Sequence, residues 1–311
     1  MTLLLVACGL LAVAMPGICP KPMLAAAPRW FVRLAVVSVG LGMSAIVAAL
    51  LLSTSVGALH LMVGGAVTPV DHLAPEGVVG SAAAAAAVVW IIGRSTVLAC
   101  RAARGHRTAR VDAWLGEHET AGDLEVVIIP TDAAVAYNIP GRQPQIVISE
   151  GLRTRLSADV LRFVLDHERA HLRGGDRWSA LLATALETAF VFVPGAARTA
   201  AALRIGLERA ADEDAAGGQL TRRRTIARGI SAEGARTHIA CGAELWKFRR
   251  RNLVDLPPPA LPDLSLAALG VTVVSTSVSR SHYTPRPTSP LISPCCDRRV
   301  ADVVRPSGRL G

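Results

Sequence analysis

Five consecutive residues, His167-Glu168-Arg169-Ala170-His171, hold the densest chemistry in the chain. Histidines four positions apart fall on one face of an α-helix, so both imidazoles can point at a common centre. Neutral imidazole nitrogens suit a zinc ion, Zn2+, which in a catalytic site takes three protein ligands and keeps one position for water. Glu168 would stand beside that face, placed to accept the proton of a water attacking a carbonyl. The competing reading is a helix whose two histidines are satisfied by ordinary neighbours. A third ligand decides between them, and Glu208 in Leu207-Glu208-Arg209-Ala210-Ala211-Asp212 is the candidate. Asp212, one turn further on, could hydrogen-bond a ligating histidine. Glu213 and Asp214 follow at once, so this stretch also reads as an exposed acidic helix face.

These side chains need a scaffold, and its elements are legible on both sides. Leu124-Glu125-Val126-Val127-Ile128-Ile129 reads as a buried strand closed by Pro130, and Gln145-Ile146-Val147-Ile148-Ser149 as a second, entered through a turn-rich stretch. The second strand is either a sheet edge that accepts an extended substrate by strand addition or an ordinary core strand. Ser157 is an N-cap for a helix to Leu172, in which Val160, Leu161, Val164, His167 and His171 recur at helical spacing. Gly174-Gly175 stops it, and Asp176 is placed to cap the next helix, Arg177 to Val193. That apolar helix could lie against a membrane or form a marginal span, while Glu187 in its middle favours packing within protein or at the interface. A further helix runs from Ala197 to Ala216 and would carry Glu208 and Asp212.

Composition places this scaffold at a membrane. Apolar residues make up 51% of 311, charged residues 18%, and the mean hydropathy of +0.40 excludes both a wholly soluble chain and a disordered one. Six cysteines (Cys8, Cys19, Cys100, Cys241, Cys295, Cys296) show no framework spacing, which excludes a disulfide scaffold. Three spans are expected, at about 2–19, 34–60 and 78–100; the first is broken by Pro16 and lacks the positive start of a cleaved signal. Arg94 lies near the end of the third, where it can snorkel to the headgroups. Lys21, Arg29 and Arg33 follow the first span, no Lys or Arg lies between the second and third, and Arg101, Arg104, Arg107 and Arg110 follow the third. The positive-inside rule then puts the N-terminus outside and everything after Arg101 on the cytoplasmic side of the cell membrane. The organisation expected is a membrane region over 1–104, a catalytic domain over 105–256, and a Pro-rich linker, apolar segment (264–278) and disordered tail over 257–311. The net charge of +9 is almost wholly arginine without interleaved aromatics, so the bilayer is an expected partner and nucleic acid is not.

The pentapeptide, then Asp176, an apolar helix, and Leu203 to Asp214 resemble the gluzincin metallopeptidases. Closest are the HtpX/Ste24-type and, above all, the BlaR/MecR-type integral-membrane peptidases of metallopeptidase family 56. The resemblance implies a mainly α fold with a small β-sheet: a multi-span helical membrane protein with a gluzincin-like peptidase domain on the cytoplasmic side. It implies a zinc endopeptidase coupled to signalling across the membrane, with His167, His171 and Glu208 as ligands and Glu168 as catalytic base. The substrate would be a protein or peptide, such as a transcriptional repressor or a membrane protein. Well-known members carry a penicillin-binding sensor with a Ser-x-x-Lys nucleophile. Here Ile18 and Glu244 stand three before Lys21 and Lys247, the two lysines, so acylation by a β-lactam at such a site is excluded. An HtpX-like quality-control protease and a non-catalytic receptor with a structural zinc site are the alternatives. Tyr137, Arg204 and His238 are candidates, by type alone, for stabilising an oxyanion.

Overall fold

Runs of Ala, Val and Leu fold as three helices: α1 (Thr2–Ile18), α2 (Pro28–Met62) and α3 (Gly77–Trp114). The computed structural model describes residues 2–18, 27–63, 77–121, 124–217, 219 and 222–223, all within the unit Met1–Pro259. The Pro-rich linker, the 264–278 stretch, the tail and His238 lie outside the described residues. Helices α2 and α3, of 35 and 38 residues, are long and apolar enough to cross a bilayer. Their outward side chains, Leu41 and Leu51 on α2 and Val79, Val89 and Ile92 on α3, are exposed. Such a belt suits lipid better than water. Both helices run past the expected spans. Pro28 opens α2, which carries Arg29 and Arg33 in its first turns, and α3 continues through the arginine cluster with no break at residue 104. Pro16 is accommodated inside α1.

Helices α1 and α2 touch through glycines. A Cβ at Gly42 would stand 2.7 Å from the carbonyl oxygen of Gly9, and one at Gly9 would stand 2.8 Å from that of Gly42. Small residues allow this backbone approach, a common packing device between apolar helices.

After α3 the chain forms a four-stranded mixed sheet from β1 (Glu117–Ala121), β2 (Leu124–Ile129), β3 (Ala136–Ile139) and β4 (Gln145–Ser149), in the order β1-β2-β4-β3. Strands β2 and β4 pair in parallel, and the outer strands are antiparallel to them. This overturns the edge-strand reading of Gln145–Ser149: β4 is interior, and β3 is the outer strand beside it. The expectation failed because Ala136-Tyr137-Asn138-Ile139 is short and lacks a β-branched run. The other outer strand, Glu117-His118-Glu119-Thr120-Ala121, is charged in the manner of protected edges and shows no apolar alternation.

Among the described residues the helices that follow are α4 (Glu150–Arg155), α5 (Ala158–Gly174), α6 (Asp176–Thr188) and α7 (Ala196–Ala216). Gly175, at φ 64° and ψ 28°, ends α5 in the left-handed conformation that glycine tolerates. Helix α6 ends at Thr188, five residues before the expected Val193. At 13 residues it is about 20 Å long, too short for a ~30 Å hydrocarbon core, so the fourth-span reading falls. Arg94 does not simply snorkel: its Nε donates to the Thr188 carbonyl at the end of α6, 3.3 Å away.

One apolar cluster joins α1, α2, α6 and α7, with Val13, Phe31, Val39, Leu186, Leu203 and Leu207 among its buried members. A second lies between the sheet and α5, where Val126, Ile128, Ile146 and Ile148 meet Val160, Leu161 and Val164. The acidic stretch after Glu208 is not an exposed face. Asp212 and Glu213 are buried and Asp214 alone of the three is exposed, because the helix turns the first two inward. Glu213 lies between two buried guanidiniums, Arg209 at 3.1 Å and Arg223 at 2.8 Å. Burial raises the Glu213 carboxyl above its ordinary range and lowers Arg209, against the pull of their mutual attraction. Glu213→Ala would strand two buried cations, so it should destabilise the protein by about 3–5 kcal/mol, read as a fall in melting temperature of the detergent-solubilised chain.

Candidate metal centre

Helix α5 lies between the sheet and α7. Its Phe163, His167 and Ala170 are buried, while Val160, Leu161 and Val164 rest on the sheet. On α7, Glu208 and Asp212 are one turn apart and face the histidines of α5. The Nε2 atoms of His167 and His171 come within 3.0 Å of each other, with the ring planes near perpendicular at 88°. Glu208 closes the group: its Oε2 is 3.5 Å from His167 Nε2 and its Oε1 is 3.8 Å from His171 Nε2. One atom from each of the three residues lies within 4.8 Å of the others.

The opposite ring nitrogens explain the orientation. Asp212 Oδ1 lies 3.0 Å from His167 Nδ1, and Asp176 Oδ2 lies 2.8 Å from His171 Nδ1. A neutral imidazole has one donor and one acceptor nitrogen, and a carboxylate takes the donor. Each Nδ1 therefore donates to its aspartate, and both Nε2 lone pairs point inward beside the Glu208 carboxylate. Three acceptors converging in this way repel one another, and a cation placed among them removes the repulsion. The donor set fits a metal ion: two imidazole nitrogens, one carboxylate, and a carboxylate behind each ring.

Glu168 sits beside the group. Its Oε2 accepts a hydrogen bond of 2.7 Å from Asn138 Nδ2, on the outer strand β3. The structure thus brings together His167, His171, Glu208 and Asp212, with Glu168 next to His167 in the chain and bonded to Asn138. It adds Asn138, which sequence reasoning missed, and gives Asp176, singled out there as a helix cap and as part of the resemblance, a different role. An aspartate straight after a glycine stop reads as a helix cap, yet Gly175 holds the cap position and Asp176 turns its buried carboxylate to His171. Its spacing of five from His171 was the available signal. Of the oxyanion candidates, the two among the described residues, Arg204 and Tyr137, do not join the group. Arg204 directs its guanidinium to Glu187, 2.8 Å away, and to the Thr184 hydroxyl on α6. Tyr137 packs with Ala113 and Val147 on the sheet face turned from α5.

Residues 138–230 match the family model described as BlaR1 peptidase M56. The chain carries a BlaR1-type M56 peptidase segment. The M56 match starts at Asn138 and spans both site helices, so it covers every residue of the cluster just described. The match indicates a hydrolase of metallopeptidase type, and with the two long apolar helices a membrane protein. No curated protein and no solved structure matches the chain. Removing the carboxylate behind His167, as in Asp212→Ala, should weaken metal binding by about 10–100-fold, measured by competition with a chromophoric chelator.

Proposed function

We propose that this protein is a zinc-dependent endopeptidase of the cytoplasmic membrane face that cleaves a protein substrate in regulatory signalling. The observation that carries this is the convergence of His167, His171 and Glu208, with Glu168 beside them and Asn138 reaching it from an outer strand. In this reading the three converging residues are the ligands and Glu168 is the general base. Two nitrogens and one oxygen suit zinc better than magnesium or calcium, which prefer all-oxygen shells. When bound, the ion supplies Lewis acidity at the scissile carbonyl and the attacking water. Glu168 takes a proton from that water as its oxygen bonds the carbonyl carbon. The same carboxyl then returns the proton to the departing amine as the C–N bond breaks. Asn138, donating to Glu168 Oε2, holds the carboxylate in place until a water arrives.

The outer strand β3 lies at the border of the sheet, beside the site helix α5, and is the strand placed to meet an extended substrate by backbone pairing, the role that β4 does not fill from inside the sheet. Sidedness follows from Arg29 and Arg33. They lie at the end of α2 that contacts the peptidase helices, and the arginines after residue 100 follow the apolar part of α3. By the positive-inside rule that end is cytoplasmic, which gives three passes with the N-terminus outside. A transcriptional repressor or a membrane protein is the substrate class that such a position serves, and the BlaR1-type match favours the regulatory role over general quality control.

Glu168→Gln should retain the metal and lose cleavage by about 10²–10⁴-fold, the usual contribution of a positioned base. Comparing membrane and cytosolic proteomes of cells expressing wild type or this variant should reveal one or a few accumulating proteins. Unchanged proteolysis in the variant would remove Glu168 from the mechanism. Many accumulating proteins would point to quality control, and none, with zinc retained, to a structural zinc site.

A further inference from the structure

Arg29 stands in the first turn of α2, yet its guanidinium contacts three other helices. Nη1 donates to both carboxylate oxygens of Asp176 on α6, at 2.8 and 3.1 Å. Nε and Nη2 donate to Asp214 Oδ2 on α7, at 2.9 and 2.7 Å. Nη2 also donates to the carbonyl of Ala170 on α5, at 3.1 Å, one residue before His171. The Asp176 oxygen that receives the longer of the two Nη1 bonds, Oδ2, is also the one that receives His171 Nδ1. Room for this fork comes from Gly174, since a Cβ there would collide with Arg29 Nη1 and lie 2.5 Å from Asp176 Oδ1. One residue at the head of a membrane-length helix therefore braces the carboxylate behind a candidate metal ligand, and ties it to both helices that carry the ligands.

We propose that Arg29 is a positioning residue that holds the Asp176–His171 pair in its ligating orientation, so that metal affinity depends on where α2 sits. The proposal rests on the zinc site proposed above. Without Arg29 the Asp176 carboxylate, only 7% exposed, loses a countercharge and its fixed direction, and with it the hold that it keeps on the His171 ring. A planar guanidinium can meet two carboxylates and a carbonyl at once, which a lysine ammonium on a flexible stem does not reproduce. The bonds are short enough to be sensitive: sliding α2 by one residue's rise, ~1.5 Å, would take them out of hydrogen-bonding range. The far end of α2, at Met62, lies about 50 Å away along the helix, so an event there reaches the metal through one rigid element.

The test uses the full chain in lipid nanodiscs, with zinc affinity read by chelator competition and the visible spectrum of the Co2+-loaded protein as a report on ligand geometry. Arg29→Met should weaken zinc binding by about tenfold or more and shift the Co2+ spectrum. Arg29→Lys should not restore either. Gly174→Ala keeps a good helix former in α5 but intrudes on the guanidinium, and it should reproduce both effects. Glu187→Gln, which breaks the ion pair with Arg204 between α6 and α7, should bind zinc as wild type does. Gly42→Leu, which pushes α2 away from α1 some 20 Å from Arg29, should weaken zinc binding in the wild type but add little in Arg29→Met. Wild-type affinity and spectrum in both Arg29→Met and Gly174→Ala, with His171→Ala unable to bind, would overturn the proposal while leaving the metal site standing. Additive effects of Gly42→Leu and Arg29→Met would overturn the link to α2. Equal zinc binding by wild type and His171→Ala would overturn the metal site itself, and this inference with it.

Discussion

The centre depends on a pair of imidazole–carboxylate hydrogen bonds, His167 to Asp212 and His171 to Asp176. Each fixes a ring's tautomer and rotation, and together they turn two lone pairs onto one point 3.0 Å wide. Without them the helix would still present two histidines on one face, but nothing would choose which nitrogen faces inward. The aspartates come from different helices, α7 and α6, so the orientation of the histidines on α5 depends on three helices packing correctly.

That packing is supplied from the N-terminal side. Helix α7, which carries Glu208 and Asp212, is buried through Leu203 and Leu207 against Phe31, Val32 and Val39 of α2 and Val13 of α1. Thr199 adds a buried hydrogen bond from its hydroxyl to the Val13 carbonyl. The helices that read as membrane anchors thus form the floor on which the peptidase helices rest. Arg29 makes the same connection in polar form. The buried Arg209–Glu213–Arg223 group holds the far end of α7 and the residues after it. Its cost in desolvation is offset only while all three partners stay together.

The sheet contributes differently. Its inner strands β2 and β4 are apolar on both faces, one covered by α5 and the other by Ala113 and Ala109 near the end of α3. This leaves β3 at the border beside α5, with Asn138 turned to Glu168. The alternation of Tyr137 and Asn138 across the sheet sends one to the core behind and the other to the site.

Local pattern alone was enough for several features: the two inner strands, the helix bearing both histidines, the helix bearing Glu208, and the long apolar runs of α2 and α3. Each follows from periodicity and from glycine or proline stops, which act within a few residues and leave their mark in the sequence. Other features needed the tertiary structure, namely the outer position of β3, the early end of α6, the burial of Glu213, and the partners of Arg29, Arg94 and Arg204. A polar side chain can face solvent, cap a helix or brace a ligand with the same neighbours in sequence. For Asp176 and Asp212 the choice rests on which imidazole the helix packing brings within about 3 Å, and Arg29 reaches Asp176 and Asp214 only through packing across 147 and 185 positions of chain.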